Sequence, residues 1–550
     1  MMILADSVFN YTPAVTDWVR ILPDVCILVT ALLVLLFDLF IASHLKGWMA
    51  IVGLAGVVAS FVSVSYLFAA GDGLPAFNGM MLSDSGALLA DGIILIATAG
   101  GLLLSPGYVE RQGITQHGEY YTLMLLASLG MMIMASAGSL LTIFVGLESL
   151  SLALYILSAY IVLRPRSREA GLKYFILSSF ASAFLLYGMA LTYGATGSTT
   201  LHTIAVFIQN HFPIAFTSGN GLLLVAGMAL MAVGFSFKVS AIPFHAWTPD
   251  VYVGAPTSVT AFMSVGTKVA AFAALARVFI VTFQLAHATW SPLFWAIAVL
   301  TMVAGNIMAV TQRDVKRMLA YSSIATAGYI LVAVVTGTEQ ALAGMFVYLA
   351  GYAVMNLGAF GALLSVEHND GRGTTLDDLT GLARRRRGLA ALLALFLFAL
   401  AGVPPTVGFL SKYTVFYAAV VGGHTELAVI GVLASAFGMY YYLRVVWAMY
   451  FVDPLVVPQA SYGLVQSDQL PDTGITTGTE RGGSVAVAES VVVQLAPAET
   501  RTVQYPEPRV VTPGTWLALA ATAALTLVVG IFPAELYAVA LQAAHAMLHP

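Results

Sequence analysis

Charge is the scarcest thing in this sequence. Its 550 residues include only 23 Lys+Arg and 27 Asp+Glu, or 9% charged. An ordinary soluble domain carries roughly 25%. A water-soluble globule of this size needs a charged surface, so that class is excluded. The net charge of −4 argues against nucleic acid, which calls for a basic patch. Cysteine is nearly missing as well. Cys26 alone cannot build a disulfide framework or a cysteine-ligated zinc or iron–sulfur centre. There is no Walker A sequence, no dinucleotide fingerprint and no pair of His residues placed to hold haem. The chain is therefore expected to carry no cofactor and no metal, and to hydrolyse no nucleotide. Strand-type alternation is also absent, which argues against a β-barrel.

Apolar residues are abundant, at 59%. A helix needs about 20 mostly apolar residues to cross a bilayer. Fourteen stretches qualify: 21–43, 47–70, 84–106, 119–136, 138–163, 169–194, 219–242, 257–285, 292–311, 316–336, 338–367, 388–420, 425–451 and 514–534. The sequence predicts an all-α polytopic membrane protein with 14 transmembrane helices. Residues 1–20 lack a basic region and a small-residue cleavage site, so 21–43 reads as a retained span.

Lys and Arg concentrate on the cytoplasmic side of membrane proteins. Sixteen of the 23 basic residues fall in the connections after spans 1, 3, 5, 9, 11 and 13. They include Lys46, Arg164, Lys316 and the Arg384 to Arg387 run, and only Arg20 lies on the opposite side. Both termini are therefore expected to face outward. Six basic residues remain: Lys173, Lys238, Lys268, Arg277, Lys412 and Arg444. The deep acids are Glu148, Asp91 and Asp38.

Two spans are interrupted. One breaks around Lys238-Val-Ser-Ala-Ile-Pro-Phe-His245, the other at Gly402-Val-Pro-Pro405. Proline removes a backbone donor, and within a membrane such a break survives only where protein or water satisfies the freed carbonyls. Broken helices at matching places in two halves point to a transport site. Here they are the fourth members of spans 4–8 and 9–13. Five spans is an odd number, so the second unit is inverted relative to the first. The expected segments are an N-terminal three-helix part (1–117), a first repeat (118–285), a second inverted repeat (286–452), a polar cytoplasmic insertion (453–512), and helix 14 with an interfacial tail (513–550). Residues 199–217 read as an outward loop with a short amphipathic helix.

A Lys or Glu at mid-bilayer costs about 3 kcal/mol on insertion scales. Burial disfavours the charged form of either group, and an opposite charge nearby favours it. A site that gains or loses a neighbouring ion can therefore take up and release protons. Glu148 lies in Gly146-Leu-Glu-Ser-Leu-Ser151, where the alternative is a structural ion pair. Lys238 and Lys412 lie at the two breaks, where the alternative is a carbonyl cap on a half-helix. Lys268 is too deep to snorkel readily. His245 can relay protons or bond a backbone group, and Lys173 can join the path or snorkel. Asp38, Asp91 and Arg277 read as interfacial or helix-pairing groups.

The segment Phe237-Lys-Val-Ser-Ala-Ile-Pro-Phe-His-Ala-Trp-Thr-Pro-Asp-Val-Tyr-Val-Gly-Ala-Pro256 resembles the signature of the antiporter-like, proton-pumping membrane subunits of respiratory complex I. So do Lys316-Arg-Met-Leu-Ala-Tyr-Ser-Ser323 and Gly402-Val-Pro-Pro-Thr-Val-Gly-Phe-Leu-Ser-Lys412. Tyr352-Ala-Val-Met-Asn-Leu-Gly-Ala-Phe360 looks like the version in the chain N branch, the counterpart of mitochondrial subunit 2. Lys412 favours that branch over chain M, which usually has Glu there. The resemblance implies 14 helices in two inverted five-helix repeats. It implies that Glu148 pairs with Lys238, that Lys268 is a central relay and that Lys412 is a terminal proton-transfer lysine. Partners would be chains M, K, J and their neighbours in a bacterial inner membrane. NADH, FMN, iron–sulfur clusters and quinone would sit in other subunits. Thr326 stands where the family commonly has His, so water or another hydroxyl would bridge Lys268 and Lys412. Rival readings are a subunit of a multi-subunit sodium/proton antiporter and a scaffold whose ion pairs only hold helices.

Overall fold

The computed structural model describes residues 12–41, 43–71, 73–211, 219–368, 371, 373–453 and 511–549. Apart from one two-stranded hairpin, β1 (Pro75–Ala76) with β2 (Met81–Leu82), the described residues fold as helices. In chain order they are α1 (Val15–Arg20), α2 (Leu22–Phe40), α3 (Met49–Ala70), α4 (Ser85–Leu104), α5 (Pro106–Arg111), α6 (His117–Ala135) and α7 (Leu140–Ser158). Then come α8 (Pro165–Thr196), α9 (Leu201–His211), α10 (Gly219–Lys238), α11 (Trp247–Gly254), α12 (Thr257–Leu275), α13 (His287–Val310) and α14 (Val315–Thr336). The last are α15 (Glu339–Leu364), α16 (Leu382–Arg385), α17 (Arg387–Ala401), α18 (Val407–Val421), α19 (Thr425–Phe451), α20 (Pro513–Ile531) and α21 (Ala534–Leu548).

Among the described residues, 13 helices are long and apolar enough to cross a membrane. The remaining expected span, 388–420, is split into two shorter apolar helices, α17 and α18. The connection at 199–217 does contain a short helix, α9, which buries Leu201, Ile204 and Ile208 along one face. The tail forms α21, seated on Ala540, Ala543, Ala544 and Met547. Most of the insertion expected at 453–512 lies outside the described residues.

The interior is formed by α12, α14 and α15, which other helices enclose. The outer helices α2, α3, α8 and α19 expose large apolar side chains, among them Leu32, Val62, Phe180 and Leu433. That distribution suits hydrocarbon as the solvent, because lipid imposes no penalty on an exposed leucine.

Close crossings of small residues hold the bundle together, as expected where lipid removes the hydrophobic drive between helices. At the α6–α7 crossing, a Cβ added to Gly146 would lie 2.7 Å from the Met134 nitrogen and 2.9 Å from the Gly130 carbonyl. Both neighbours are backbone and cannot rotate away.

A charged contact ties the N-terminal helices to the interior. Asp84 caps α4 through the Ala87 N–H at 2.8 Å. It also accepts two bonds of 2.7 Å from Arg277, which follows α12. The third guanidinium nitrogen bonds the Ala135 carbonyl at 3.0 Å, which ends α6. Both side chains are buried. Arg277 thus serves helix pairing, as read from the sequence, and Asp38 does likewise through Lys46 at 3.0 Å.

Two stability outcomes follow. Gly146→Ala should destabilise the folded chain by about 1–3 kcal/mol, whereas Gly194→Ala, where a Cβ meets nothing within 4 Å, should not. Asp84→Ala strands a buried guanidinium and should cost about 3–5 kcal/mol. Thermal unfolding of the purified complex checks both.

Candidate proton-transfer site

Both breaks fall where the sequence places its prolines, and both leave carbonyls without helical partners. At the first, α10 ends at Lys238, Ser240 takes a positive φ of 66°, and α11 resumes at Trp247. The freed groups are taken up by side chains. Trp247 donates to the Phe237 carbonyl at 3.1 Å, and the Ile242 N–H donates to Thr301 Oγ1 at 2.9 Å. At the second break, Gly402 adopts φ 91° beyond the end of α17. A Cβ there would meet Lys412 Cδ at 3.0 Å, so glycine serves both the turn and the close approach of the lysine.

The three deep lysines attach to these breaks. Lys238, the last residue of α10, donates to Ser151 Oγ at 2.7 Å, and its ammonium lies 5.6 Å from the Tyr174 ring centroid. Lys268, midway along α12, donates to the Val239 carbonyl at 3.1 Å and to the Ser323 carbonyl at 2.8 Å. It therefore binds the residue next to Lys238 and reaches α14. Lys412 donates to the Leu400 and Ala401 carbonyls at 3.0 and 2.8 Å, and to Ser435 Oγ at 2.8 Å. Lys412 thus occupies the carbonyl-cap position, whereas Lys238 bonds a hydroxyl of another helix. None of the three makes an ion pair among the described residues.

Glu148 lies one turn before Ser151 on α7. Its Oε1 is buried and has no hydrogen-bond partner. It makes no ion pair with Lys238; the hydroxyl of Ser151 takes the lysine proton and in turn donates to the Leu147 carbonyl. The buried hydroxyls of Tyr155, Tyr174 and Ser182 also lack partners. Unsatisfied buried polar atoms are uncommon and are where ordered water binds.

Hydroxyls fill the space around the break from Lys268 towards Lys412. Tyr352 donates to Ser323 Oγ at 2.8 Å, and Ser322 bonds the Tyr442 hydroxyl. Tyr441 donates to Asn306 Oδ1 at 3.1 Å, and Asn306 donates to the Tyr329 hydroxyl at 2.8 Å. Lys412 lies 5.6 Å from the Tyr329 ring centroid. These groups were not singled out by sequence reading. Their signal, a Ser, Tyr or Asn within an apolar span, is too common to select them.

The remaining expected site residues lie apart from this row. Lys173 is 39% exposed and pairs with Glu169 at 2.6 Å and Asp250 at 2.7 Å. Arg317 joins Asp250 at 3.2 Å. This network borders a cavity of about 320 Å³ lined by Arg166, Asp314 and Arg317. His245 sits in the first break with Nδ1 buried and without a partner.

Lys316, which by sequence belongs to the basic connection after span 9, is only 4% exposed. It donates to the Val253 and Ala255 carbonyls at 3.3 and 2.9 Å. Nearby, Glu367 is buried with Arg164 at 3.8 Å, Tyr108 at 3.4 Å and the Thr257 hydroxyl. Position at a span end hid the depth of both residues.

Residues 137–438, over half of the chain, match the family described as NADH:quinone oxidoreductase/Mrp antiporter, TM. The chain is 44% identical to NADH-quinone oxidoreductase subunit N of Trichlorobacter lovleyi, over 78% of this chain and 87% of that protein. The chain belongs to the NADH-quinone oxidoreductase subunit N family. A chain of respiratory complex I from Thermus thermophilus with bound Aureothin superposes on it with a TM-score of 0.70 at 30% identity, covering 94% of this chain and 98% of that one. A chain of the Mrp complex from Dietzia sp. DQ12-45-1b gives a TM-score of 0.73 at 22% identity, covering 97% and 98%, which is a likeness of fold alone. The expected family is thus met, and in this subunit N homologue the buried lysines gather at the helix breaks.

A hydrogen bond to a charged group contributes about 1.5–3 kcal/mol. Removing the hydroxyl that Lys238 bonds, by Ser151→Ala, should therefore lower proton movement per quinone by up to several-fold, with quinone binding unchanged. Proton-to-quinone ratios in reconstituted vesicles check it.

Proposed function

We propose that this chain moves protons across the membrane for an NADH-quinone oxidoreductase, using Glu148, Lys238, Lys268 and Lys412. Quinone reduction elsewhere in the complex drives the movement. The observation that carries the reading is the placement of three buried ammonium groups on carbonyls and hydroxyls, with no carboxylate at ion-pair distance. Burial disfavours a charged amine, so such a group gives up its proton once the nearest negative charge withdraws. Separating Glu148 from Lys238 removes support from the Lys238 ammonium. Its proton then passes to Lys268 and on to Lys412, with hydroxyls and water spanning the stretch near Thr326. Lys173 and His245 take lesser parts, apart from this row.

The same reading divides the chain into two inverted five-helix repeats, 118–285 and 286–452, with broken helices seventh and twelfth in order. A matching pair of backbone clasps supports it. Ser139, just before α7, bridges Thr200, just after α8; Asp314, just before α14, bridges Thr375, beyond α15. The bonds correspond one to one. Leu140 N–H to the Thr199 carbonyl (2.9 Å) matches Val315 to Thr374 (2.8 Å), and Leu201 to Gly138 (3.0 Å) matches Leu376 to Arg313 (2.9 Å).

By this reading both termini face outward from a bacterial inner membrane. Chains M, K, J and their neighbours are the partners, and they or more distant subunits hold the NADH, FMN, iron–sulfur and quinone chemistry. A role as a subunit of a sodium/proton antiporter draws support from the shared family description and from likeness of fold, whereas the 44% identity is to a quinone oxidoreductase subunit.

Lys238→Ala and Glu148→Ala in the assembled complex should each lower protons moved per quinone reduced several-fold. Unchanged ratios in both variants would sink the assigned roles.

A further inference from the structure

A second group of buried charges lies outside the lysine row, near the starts of α2 and α4. Asp24 of α2 is 8% exposed and Asp91 of α4 is 2% exposed. Each has a buried Oδ1 with no hydrogen-bond partner. Both line one cavity, together with Arg20, Ser83 and Ser136. Ser136 donates to Asp91 Oδ2 at 3.2 Å.

The cations nearby are already committed. Arg277 is held by both oxygens of Asp84 and by the Ala135 carbonyl. Arg20 bonds the Pro75 carbonyl at 3.1 Å and lies 3.7 Å from Asp17. Two buried carboxylates would thus face each other's cavity with no cation of their own. An isolated buried ion costs so much that the group neutralises instead. The cavity measures about 10 Å³, near the least room that a single water takes. A hydrated metal cation does not fit, which leaves a proton as the neutralising ligand.

We propose that Asp24 and Asp91 form a proton-binding site in which at least one of the two carboxyls is protonated at neutral pH. The proton belongs to the pair rather than to either residue. The site shares no residue with the lysine row, and it stores a proton near the starts of α2 and α4.

The test is pH-titrated infrared spectroscopy of the purified complex, parent against the Asp24→Asn/Asp91→Asn double variant. At neutral pH the parent should show a carboxylic-acid carbonyl band that the double variant lacks and that alkaline buffer removes. Identical acid-carbonyl regions in the two would overturn the site. So would a parent band present in potassium buffer but lost in sodium buffer at the same pH, because the pair would then hold a cation. Asn keeps the size of Asp, so assembly, read as quinone reduction, should persist. If the double variant does not assemble, the single variants replace it. Each should shift or abolish the band, and an unchanged band in both overturns the proposal. None of these readouts depends on whether Lys238, Lys268 or Lys412 carries protons.

Discussion

The structure depends on one exchange between broken backbone and buried amine. A helix interrupted inside hydrocarbon leaves carbonyls that need donors, and a lysine inside hydrocarbon needs acceptors. Each cancels the other's cost. Lys268 takes the Val239 carbonyl at the first break, and Lys412 takes those of Leu400 and Ala401 at the second. Neither the breaks nor the lysines would be tolerable alone. Carbonyl dipoles hold the ammonium in place without neutralising it, as a carboxylate would. On the proposed function, the proton stays exchangeable while the amine is fixed in position.

The enclosing helices follow from this arrangement. The site must be shielded from lipid, so α12, α14 and α15 lie inside and contribute hydroxyls, while the outer helices carry bulky apolar side chains. The paired backbone clasps tie the start of α7 to the segment after α8 and the start of α14 to the segment after α15. Elsewhere a buried charge is neutralised by a partner, as Asp84 is by Arg277.

Much of this was legible in the sequence because charge is so scarce. Lys238, Lys268 and Lys412 stand out by depth alone, and Pro243 with Pro404 and Pro405 marks the breaks. Burial near span ends was not legible. Lys316 and Glu367 sit where a hydropathy pattern sees only a boundary, and tertiary packing decides that they are enclosed. Asp24 and Asp84 were hidden for the same reason. The hydroxyls of Ser151, Ser323, Tyr329 and Tyr442 are ordinary in apolar helices, and only the folded geometry shows which of them meets an amine or a partner hydroxyl. The family resemblance pairs Lys238 with Glu148, and residue spacing cannot resolve that the hydroxyl of Ser151, on the same helix, is what the lysine bonds.

The bidentate contact of Asp84 with Arg277 also limits how such a chain can be shortened. Asp84 caps the start of α4, whereas Arg277 follows α12, so among the described residues the first helices supply the only carboxylate that Arg277 touches. A relative that dispensed with those helices would leave a guanidinium facing lipid or a neighbouring subunit. Loss of the N-terminal segment is therefore tied to a neutral residue at the position of Arg277, or to an acid delivered by whichever chain occupies the vacated groove.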